Sequence, residues 1–241
     1  MTQRRGYVAL VGAPNAGKST LLNLLVGTKL SIVTPKVQTT RSRILGIALK
    51  GEAQLIFIDT PGIFAPRRRL DRAMVAAAWA GAEDADIVVV LVDASRGLDD
   101  DTRAIVERLK GTQRRRVLAL NKIDLVKRER LLPLAGELAP LCDFERVFMI
   151  SSTAGDGTGD LADFLAAAVP EAPWLYPEDQ LTDLPQRLLA AEITREQLYL
   201  QLHQELPYAA AVETEQWEER QDGSDCEKYF GRGLPGVQLE V

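Results

Sequence analysis

The sequence predicts an α/β fold in which a mostly parallel sheet carries helices on both faces and is followed by a smaller α/β unit. Short apolar runs alternate with helix-like segments over residues 1–170, which is typical of strands buried on both faces of a parallel sheet. Three prolines within residues 170–179 interrupt the pattern and predict an extended linker over residues 171–181. Because 46% of the 241 residues are apolar, the chain can bury a sizeable core.

Strands and helices are expected to alternate along residues 1–170. The expected strands are residues 7–11, 54–58, 87–92, 117–120 and 147–150. The expected helices are residues 19–25, 69–80, 102–110 and 161–168. Sheets of this kind bind ligands at the carboxyl ends of their strands. The loops that follow the strands are therefore where a functional site is expected.

The first of these loops, GAPNAGKST, has the spacing G-x-x-x-x-G-K-[ST] between a strand and a helix. Its glycines allow a tight turn, and its backbone amides and the helix N-terminus attract an anion. Lys18 is expected to reach the β- and γ-phosphates of a nucleotide, and Ser19 to reach a magnesium ion. An ordinary glycine-rich turn would not require the lysine. The nucleotide-binding candidates here are Gly12, Ala13, Pro14, Asn15, Ala16, Gly17, Lys18, Ser19 and Thr20.

A second loop, DTPG, follows the apolar strand LIFI. Asp59 is placed to reach magnesium through water, and the Gly62 amide can donate to a γ-phosphate, so that the loop can respond to this phosphate. The alternative is a plain β-turn with proline at its second position. The candidate residues of this loop are Asp59, Thr60, Pro61 and Gly62.

Two further loops, NKID and ISST, favour guanine as the base. The Asp124 carboxylate can accept two N–H donors that guanine has and adenine lacks, which allows discrimination by roughly 10⁴-fold. Asn121 is expected to contact the base edge and brace the phosphate loop, and the stem of Lys122 to lie over the purine. The amides of Ser151 and Ser152 can reach the guanine carbonyl. Taken singly, these loops could be a capped helix start and a serine-rich turn, but four such loops in order indicate a guanine-nucleotide-binding domain.

These motifs resemble those of the Era family of bacterial GTPases. The resemblance covers about residues 5–224 and rests on GAPNAGKSTLLN, PKVQTTRSRILG, FIDTPGI and NKIDL, and then on WLYPEDQLTD, AAEITREQLY and QELPYAAAVETEQWEE. It implies GTP or GDP and Mg²⁺ as ligands, slow GTP hydrolysis, a C-terminal KH domain that binds 16S rRNA, and a role in 30S ribosomal subunit assembly. It also implies a cytoplasmic location with peripheral association at the inner membrane.

The resemblance further implies that Thr40 is a ligand of magnesium and of the γ-phosphate, with Thr39 as the alternative. Ras-like proteins orient water with a glutamine after the DxxG glycine, and here that position is Ile63, which predicts slow hydrolysis. In related GTPases an asparagine at the position of Asn15 helps to hold a potassium ion; the alternative is that Asn15 only shapes the loop. The catalytic candidates are Asn15, Lys18, Thr40 and Gly62, and the metal candidates are Ser19, Thr40 and Asp59.

The C-terminal region, residues 182–241, is expected to be a partial KH-like RNA-binding domain. A helix is expected over residues 182–202 and a half-exposed strand over residues 208–217. The apolar face of this helix is expected to hold Leu188, Ala191, Leu198 and Leu202. After residue 224 the sequence diverges from a KH domain. Residues 233–236 match the GXXG loop that clamps RNA only formally, because Pro235 lies inside the match.

Charge supports a competing interpretation of this region. Residues 182–241 hold 5 Lys and Arg against 12 Asp and Glu, a net charge of −7, which would repel a phosphate backbone. The alternatives are therefore a truncated guanine-nucleotide-binding protein without RNA binding, or another ribosome- or tRNA-associated GTPase. The basic triplets at residues 67–69 and 114–116 could contact RNA phosphates or simply lie at the surface.

Other function classes find little support in the composition. Cys142, Cys226 and His203 have no spacing that would make a recognisable zinc site. No stretch approaches ~18 uninterrupted apolar residues, so no membrane-spanning helix is expected.

Overall fold

The computed structural model describes residues 2–34, 44–64, 69–201, 211–219, 225–232 and 238–240. The chain divides into two units, one with residues 1–31 and 37–183 and the other with residues 32–36 and 184–241. Several residues singled out in the sequence lie outside the described residues: Thr39, Thr40, Arg67, Arg68, Leu202, His203, residues 208–210 and residues 233–236.

A six-stranded sheet forms the first unit. Its strands are β1 Arg4–Gly12, β2 Ile44–Lys50, β3 Ala53–Asp59, β4 Ile87–Asp93, β5 Arg115–Asn121 and β6 Val147–Met149. They lie in the order β2-β3-β1-β4-β5-β6. Neighbours from β3 to β6 pair in parallel, and β2 runs antiparallel to β3 at one edge. The predicted α/β fold with a mostly parallel sheet is confirmed.

Helices pack against this sheet. The helices described in the unit are α1 Lys18–Val26, α2 Arg69–Asp84, α3 Asp100–Leu109, α4 Leu131–Leu138 and α5 Thr158–Ala168. One cluster of buried side chains joins the sheet to α2, α3 and α4, while α1 and α5 contact β2 and β3. Every residue of β3 and β4 is buried. This burial accounts for the continuous apolar runs that identified both strands in the sequence.

Two elements of this unit were not predicted from the sequence. The edge strand β2 was missed because its apolar run contains Gly46. A Cβ there would lie 2.6 Å from Leu22 Cδ1, so the glycine lets β2 pack closely on α1. Helix α4 was missed because Pro133 and Gly136 break its pattern. Pro133 lies in the first turn, where its missing N–H has no helical partner to lose.

The segment at residues 171–181, predicted to be an extended linker, contains no helix but includes a bend and a turn, and hydrogen bonds hold it along the first unit. The Trp174 indole donates to the carbonyl of Glu52 at 3.0 Å, and the backbone of Leu175 donates to the Gln54 side chain at 2.9 Å. Further along, the Ile47 N–H donates to the carbonyl of Leu181 at 2.8 Å. The compact unit therefore continues to residue 183, beyond the expected domain end at residue 170.

The second unit contains α6 Gln186–Gln201 and a three-stranded antiparallel sheet in the order β7-β8-β9. Its strands are β7 Ala211–Glu219, β8 Asp225–Arg232 and β9 Gln238–Glu240. Residues after 224 thus contribute two strands that the sequence did not predict. Helix α6 starts after Pro185, four residues later than expected.

The buried face of α6 agrees with the expected one at Ala191 but not at Leu188. Leu188 is exposed, whereas the buried residues are Ala191, Thr194, Arg195, Glu196 and Tyr199. Polar side chains can lie on this face because they are paired: Arg195 contacts Glu192, and Glu196 Oε1 accepts from the Val33 N–H at 2.9 Å. Among the helices of the described residues, none combines the length and apolar character needed to cross a bilayer.

Candidate nucleotide-binding site

The loop between β1 and α1 has the shape of a phosphate-binding turn. Gly17 has φ 99° and Asn15 has φ 62°, the left-handed region that glycine and asparagine tolerate best. A Cβ at Gly12 would lie 2.5 Å from the Leu91 carbonyl oxygen, and one at Gly17 would lie 2.2 Å from the Asn121 Nδ2. Gly12 is therefore required by its close approach to β4, whereas Gly17 is required by its left-handed conformation and approaches Asn121 of β5.

Lys18 is the first residue of α1, and its amine lies inside the loop. The Nζ donates to the carbonyl oxygens of Gly12 at 3.1 Å and Ala13 at 3.0 Å, and the side chain is 6% exposed. Burial lowers the pKa of this amine to about 8, and the charge of Asp59 only partly opposes that effect. The loop thus holds a cationic group that gains from a nearby anion.

A second group of side chains, which we call the metal corner, consists of Ser19, Ser31 and Asp59. The hydroxyls of Ser19 and Ser31 each donate to Asp59 Oδ2 at 2.7 Å, and Asp59 is fully buried. Mg²⁺ is commonly held by hard oxygen ligands from one or two protein side chains together with substrate phosphates. The Ser19 hydroxyl and the Asp59 carboxylate fit that donor set. Within the described residues, no group of three or more His, Cys, Asp or Glu side chains could hold a metal alone.

The DTPG loop lies directly against the phosphate loop. A Cβ at Gly62 would lie 2.8 Å from Pro14 Cα, so only a glycine permits this contact. The next residue, Ile63, donates its N–H to the Gly12 carbonyl at 3.1 Å, and its side chain is buried in the core cluster. The loop is also tied to β1, because the Thr60 hydroxyl donates to the Leu10 carbonyl at 2.7 Å. Position 63 therefore offers no polar group to a reacting water.

At the other end of the site, Asn121 joins three loops. Its Nδ2 donates to the Ala16 carbonyl at 2.8 Å, and its Oδ1 accepts from the Ser152 N–H at 3.0 Å and from the Ser152 hydroxyl at 2.9 Å. The Asn121 side chain is 1% exposed. The phosphate loop, the NKID segment and the ISST segment are consequently fixed to one another by a single side chain.

Beyond Asn121 the charged residues lie nearer the surface. Lys122 has φ 63°, and its Nζ forms an ion pair with Asp93 Oδ2 at 2.6 Å. Burial of Asp93 would raise the pKa of its carboxyl, but hydrogen bonds from Lys122 and Ser95 outweigh it and lower that pKa. Asp124 lies in the short 3₁₀ turn Ile123–Leu125 and is exposed. Its carboxylate is therefore accessible to a ligand at this end.

The structure thus brings together the candidates of all four loops at the carboxyl end of the parallel strands, while Thr39 and Thr40 lie outside the described residues. Sequence reasoning missed Asn23, Ser31 and Asp93. The sequence contained a signal for Asp93, since a carboxylate ends the apolar strand β4 at the edge where ligands bind. It contained no signal for Asn23 and Ser31, because their role depends on contacts formed by folding.

The basic triplet at residues 114–116 does not form a uniform charged patch. Arg115 pairs with Glu145 at 2.7 Å, while the buried Arg116 donates to the carbonyls of Leu109 and Thr112. Arg114 is exposed. These contacts favour a structural role for two of the three arginines.

Comparison with known proteins agrees with this geometry. A model of the family described as 50S ribosome-binding GTPase matches residues 7–122. GTPase Era of Rhizobium meliloti is 62% identical over 221 residues, which cover 92% of this chain and 71% of that relative. GTPase Era of Dinoroseobacter shibae is 61% identical over 224 residues, covering 92% of this chain and 73% of that relative.

Two solved structures match along most of the chain. One is Era in complex with MgGDPNP and nucleotides 1506–1542 of 16S ribosomal RNA, with a TM-score of 0.85 and 38% identity. The other is a single-residue variant of Aquifex aeolicus Era bound to GDP·AlF4⁻, with a TM-score of 0.86 and 38% identity. Each match covers 92% of this chain and 75% of the other.

Proposed function

Since the chain belongs to the Era family of GTPases, we propose that it binds GTP at the site described above, hydrolyses it to GDP and phosphate, and acts on 16S rRNA during 30S ribosomal subunit assembly. The observation that supports the nucleotide assignment is the set of hydrogen bonds made by the Asn121 side chain. These bonds join the base-reading segment, which contains Asp124, to the phosphate loop, which contains Lys18, so that the two form one site.

The residues of the phosphate end have distinct roles in this proposal. The loop amides from Ala13 to Lys18 and the N-terminus of α1 hold the phosphates, and Lys18 adds a full charge. Ser19 would hold Mg²⁺ directly and Asp59 would hold it through water, with Thr40 as a further ligand. When bound there, the ion would neutralise charge that develops on the phosphates during transfer. The Gly62 amide donates to the γ-phosphate. The DTPG loop can therefore respond to whether that phosphate is present.

Hydrolysis is proposed to be slow and to depend on potassium. Ile63 is buried and cannot orient the attacking water, so another group must assist the reaction. Asn15 is exposed at the rim of the phosphate loop, where its side-chain oxygen can help to hold a K⁺ ion against the phosphates. Its left-handed backbone conformation also fits the alternative, in which Asn15 only shapes the loop.

The potassium role is tested by measuring GTP turnover in potassium and in sodium at equal ionic strength. We expect faster hydrolysis in potassium, and Asn15→Gly should abolish the difference, because glycine keeps the left-handed turn but removes the amide oxygen. Equal wild-type rates in the two salts would exclude the potassium role. A difference that persists in the glycine variant would assign it to other groups.

The RNA partner follows from the family and from the solved relative that binds the 16S rRNA 3′ segment. A second candidate function, a guanine-nucleotide-binding protein that does not engage RNA, is favoured by the net charge of −7 over residues 182–241. The two candidates differ in one measurable property, which is affinity for that RNA at physiological salt.

A gel-shift assay with a 16S rRNA 3′ fragment at about 150 mM salt separates these candidates. Binding that requires GTP and is lost with a scrambled RNA of equal length supports the ribosomal function. Weak binding that is insensitive to sequence and falls steeply with salt, in protein that still binds GDP, supports the second candidate. The cytoplasm, with peripheral contact at the inner membrane, is the proposed location for either function.

A further inference from the structure

We infer that Ser31, held in place by Asn23, is a positioning residue for Asp59 and thereby sets how strongly Mg²⁺ retains the nucleotide. The inference deepens the proposed function and rests on it, because it assumes that guanine nucleotide and Mg²⁺ bind at this site. Ser31 lies outside all four sequence motifs and belongs to the loop that follows α1.

The first supporting observation is the pair of hydroxyls on Asp59. Ser31 Oγ and Ser19 Oγ donate to the same carboxylate oxygen, each at 2.7 Å. Ser31 is 1% exposed and Asp59 is fully buried, so water does not compete well for these bonds. A hydrogen bond to a buried charged group contributes more to the energy than a neutral one. The Ser31 hydroxyl therefore restricts how the Asp59 carboxylate can rotate.

The second observation is the way that Ser31 itself is fixed. Asn23 Oδ1 accepts from the N–H groups of Leu30 and Ser31, each at 2.9 Å, and Asn23 Nδ2 donates to the Ser31 carbonyl at 2.8 Å. Asn23 lies on α1, four residues after Ser19. Since one helix carries both Ser19 and the clamp on Ser31, the two hydroxyls that orient Asp59 form one rigid arrangement.

Magnesium gives this arrangement its functional meaning. Mg²⁺ demands near-ideal octahedral geometry, so a carboxylate that serves it directly or through water must be well oriented. Residues that orient metal ligands from outside commonly change metal affinity by about 10- to 100-fold when they are removed. Loss of the Ser31 hydroxyl should therefore weaken the magnesium-dependent part of nucleotide binding and leave the phosphate and base contacts in place.

The competing interpretation is that Ser31 merely satisfies a buried carboxylate. In that case its loss would lower stability, and nucleotide binding would change equally with and without the metal. The two interpretations thus differ in the ratio between nucleotide release rates in chelator and in magnesium. This ratio is the readout of choice, because it cancels effects on folding and on contacts that do not involve the metal.

The experiment measures release of a fluorescent GDP analogue from the full chain in excess Mg²⁺ and in chelator. For Ser31→Ala we expect the ratio of the two rates to fall by about tenfold or more, with release in chelator within about twofold of wild type. Asn23→Ala should change the ratio in the same direction, because it removes the clamp. The matched control is Ser152→Ala, which removes a serine hydroxyl from the base end and should change release equally in both conditions.

The outcomes are distinguishable. Wild-type protein that fails to bind GDP, or binds it without any effect of Mg²⁺, would overturn the proposed function and this inference with it. A magnesium-dependent wild type together with a Ser31→Ala protein that keeps the full magnesium effect would overturn this inference alone. Thermal unfolding of each variant, measured without nucleotide, identifies any variant that is misfolded. If Ser31→Ala is misfolded, the release-rate ratio of Asn23→Ala tests the same arrangement independently.

Discussion

At the phosphate end of the site the charged side chains are buried, whereas at the base end they lie at or near the surface. Lys18 and Asp59 are 6% and 0% exposed, and both are engaged by neighbouring groups of the protein. Asp124 is exposed, and the side chain of Lys122 is 28% exposed in its ion pair with Asp93. The same nucleotide is thus met by two environments of different polarity.

This difference assigns different tasks to the two ends. Buried charges are costly unless they are paired, and a phosphate group with its metal can repay that cost, so the phosphate end is suited to provide affinity. The base end has its backbone fixed by Asn121 and leaves the Asp124 carboxylate accessible. A rigid frame with one open acceptor is suited to provide selectivity. Each task can be disturbed separately.

The largest expected effect is on selectivity. Asp124→Asn replaces the acceptor of two guanine N–H groups by an amide, which should reduce the preference for GDP over xanthosine diphosphate by roughly 10⁴-fold. Xanthine offers an oxygen where guanine has an amino group, so it can accept from the new amide. Competition of both nucleotides for labelled GDP in the wild type, and for labelled xanthosine diphosphate in the variant, measures the change.

The matched control for this prediction is Asp163→Asn. Asp163 is an exposed residue that pairs with Lys50 of the edge strand β2. Its amide variant should leave the base preference as in the wild type. Unchanged guanine preference in Asp124→Asn would show that the base is read elsewhere.

A smaller effect, of about tenfold, is expected from the pH dependence of the phosphate end. The Lys18 pKa is about 8 in the folded protein, below its ordinary value of 10.5. Above pH 8 the amine loses its proton, and phosphate binding must restore it, so affinity for GDP should fall about tenfold between pH 7 and pH 9. The pH dependence of stability has the opposite sign to that of GDP affinity. From about pH 8 to 10.5 the unfolded chain binds more protons than the folded chain, so this group makes the free energy of unfolding rise with pH.

Calorimetry checks this prediction in two buffers that differ in ionisation enthalpy. Proton uptake on GDP binding should be visible at pH 8.5 and should be close to zero at pH 7 for this group. Lys122→Met removes a lysine from the base end and should leave the uptake in place. Binding at pH 8.5 without proton uptake would contradict a lowered pKa for Lys18.

The same contrast explains what the sequence could predict. The four loops were assigned from local spacing, because Gly12, Lys18 and Asp124 each occupy a fixed position relative to the end of their own strand. Burial and pairing depend on contacts between segments far apart in the chain. The Ser31–Asp59 hydrogen bond spans 28 residues and the Lys122–Asp93 pair 29, and neither leaves a pattern in the neighbouring sequence.

The second unit shows even more clearly that local sequence patterns do not predict which residues are buried. Its helix was predicted, but the buried face was assigned from the leucines, whereas the fold buries Arg195 and Glu196. Periodicity assumes that apolar residues are the buried ones, and paired polar residues violate that assumption. The strands after residue 224 were missed because DCEKYFGR has no clear alternation of polar and apolar residues.

The smallest expected effect concerns the ion pair between Asp93 and Lys122 at the base end. It tests whether this pair holds the lysine in position for the nucleotide. Asp93 accepts from the Ser95 N–H at 2.9 Å and holds Lys122 Nζ at 2.6 Å, so we expect it to keep the lysine stem in place for the purine. Asp93→Asn and Lys122→Met should each weaken GDP binding by about two- to fivefold, the range of a partly exposed ion pair.

If Asp93 acts through Lys122, the double variant should be no weaker than the worse single variant, because either change removes the same interaction. A double-mutant cycle on GDP affinity measures this coupling, and the Arg115–Glu145 pair supplies the control. Arg115→Gln breaks an ion pair of similar length, 2.7 Å, at the start of β5, the strand whose other end carries Asn121. It should affect stability without changing affinity. Additive losses in the Asp93–Lys122 cycle would mean that Asp93 supports the fold at the end of β4 and that the lysine is oriented by the nucleotide itself.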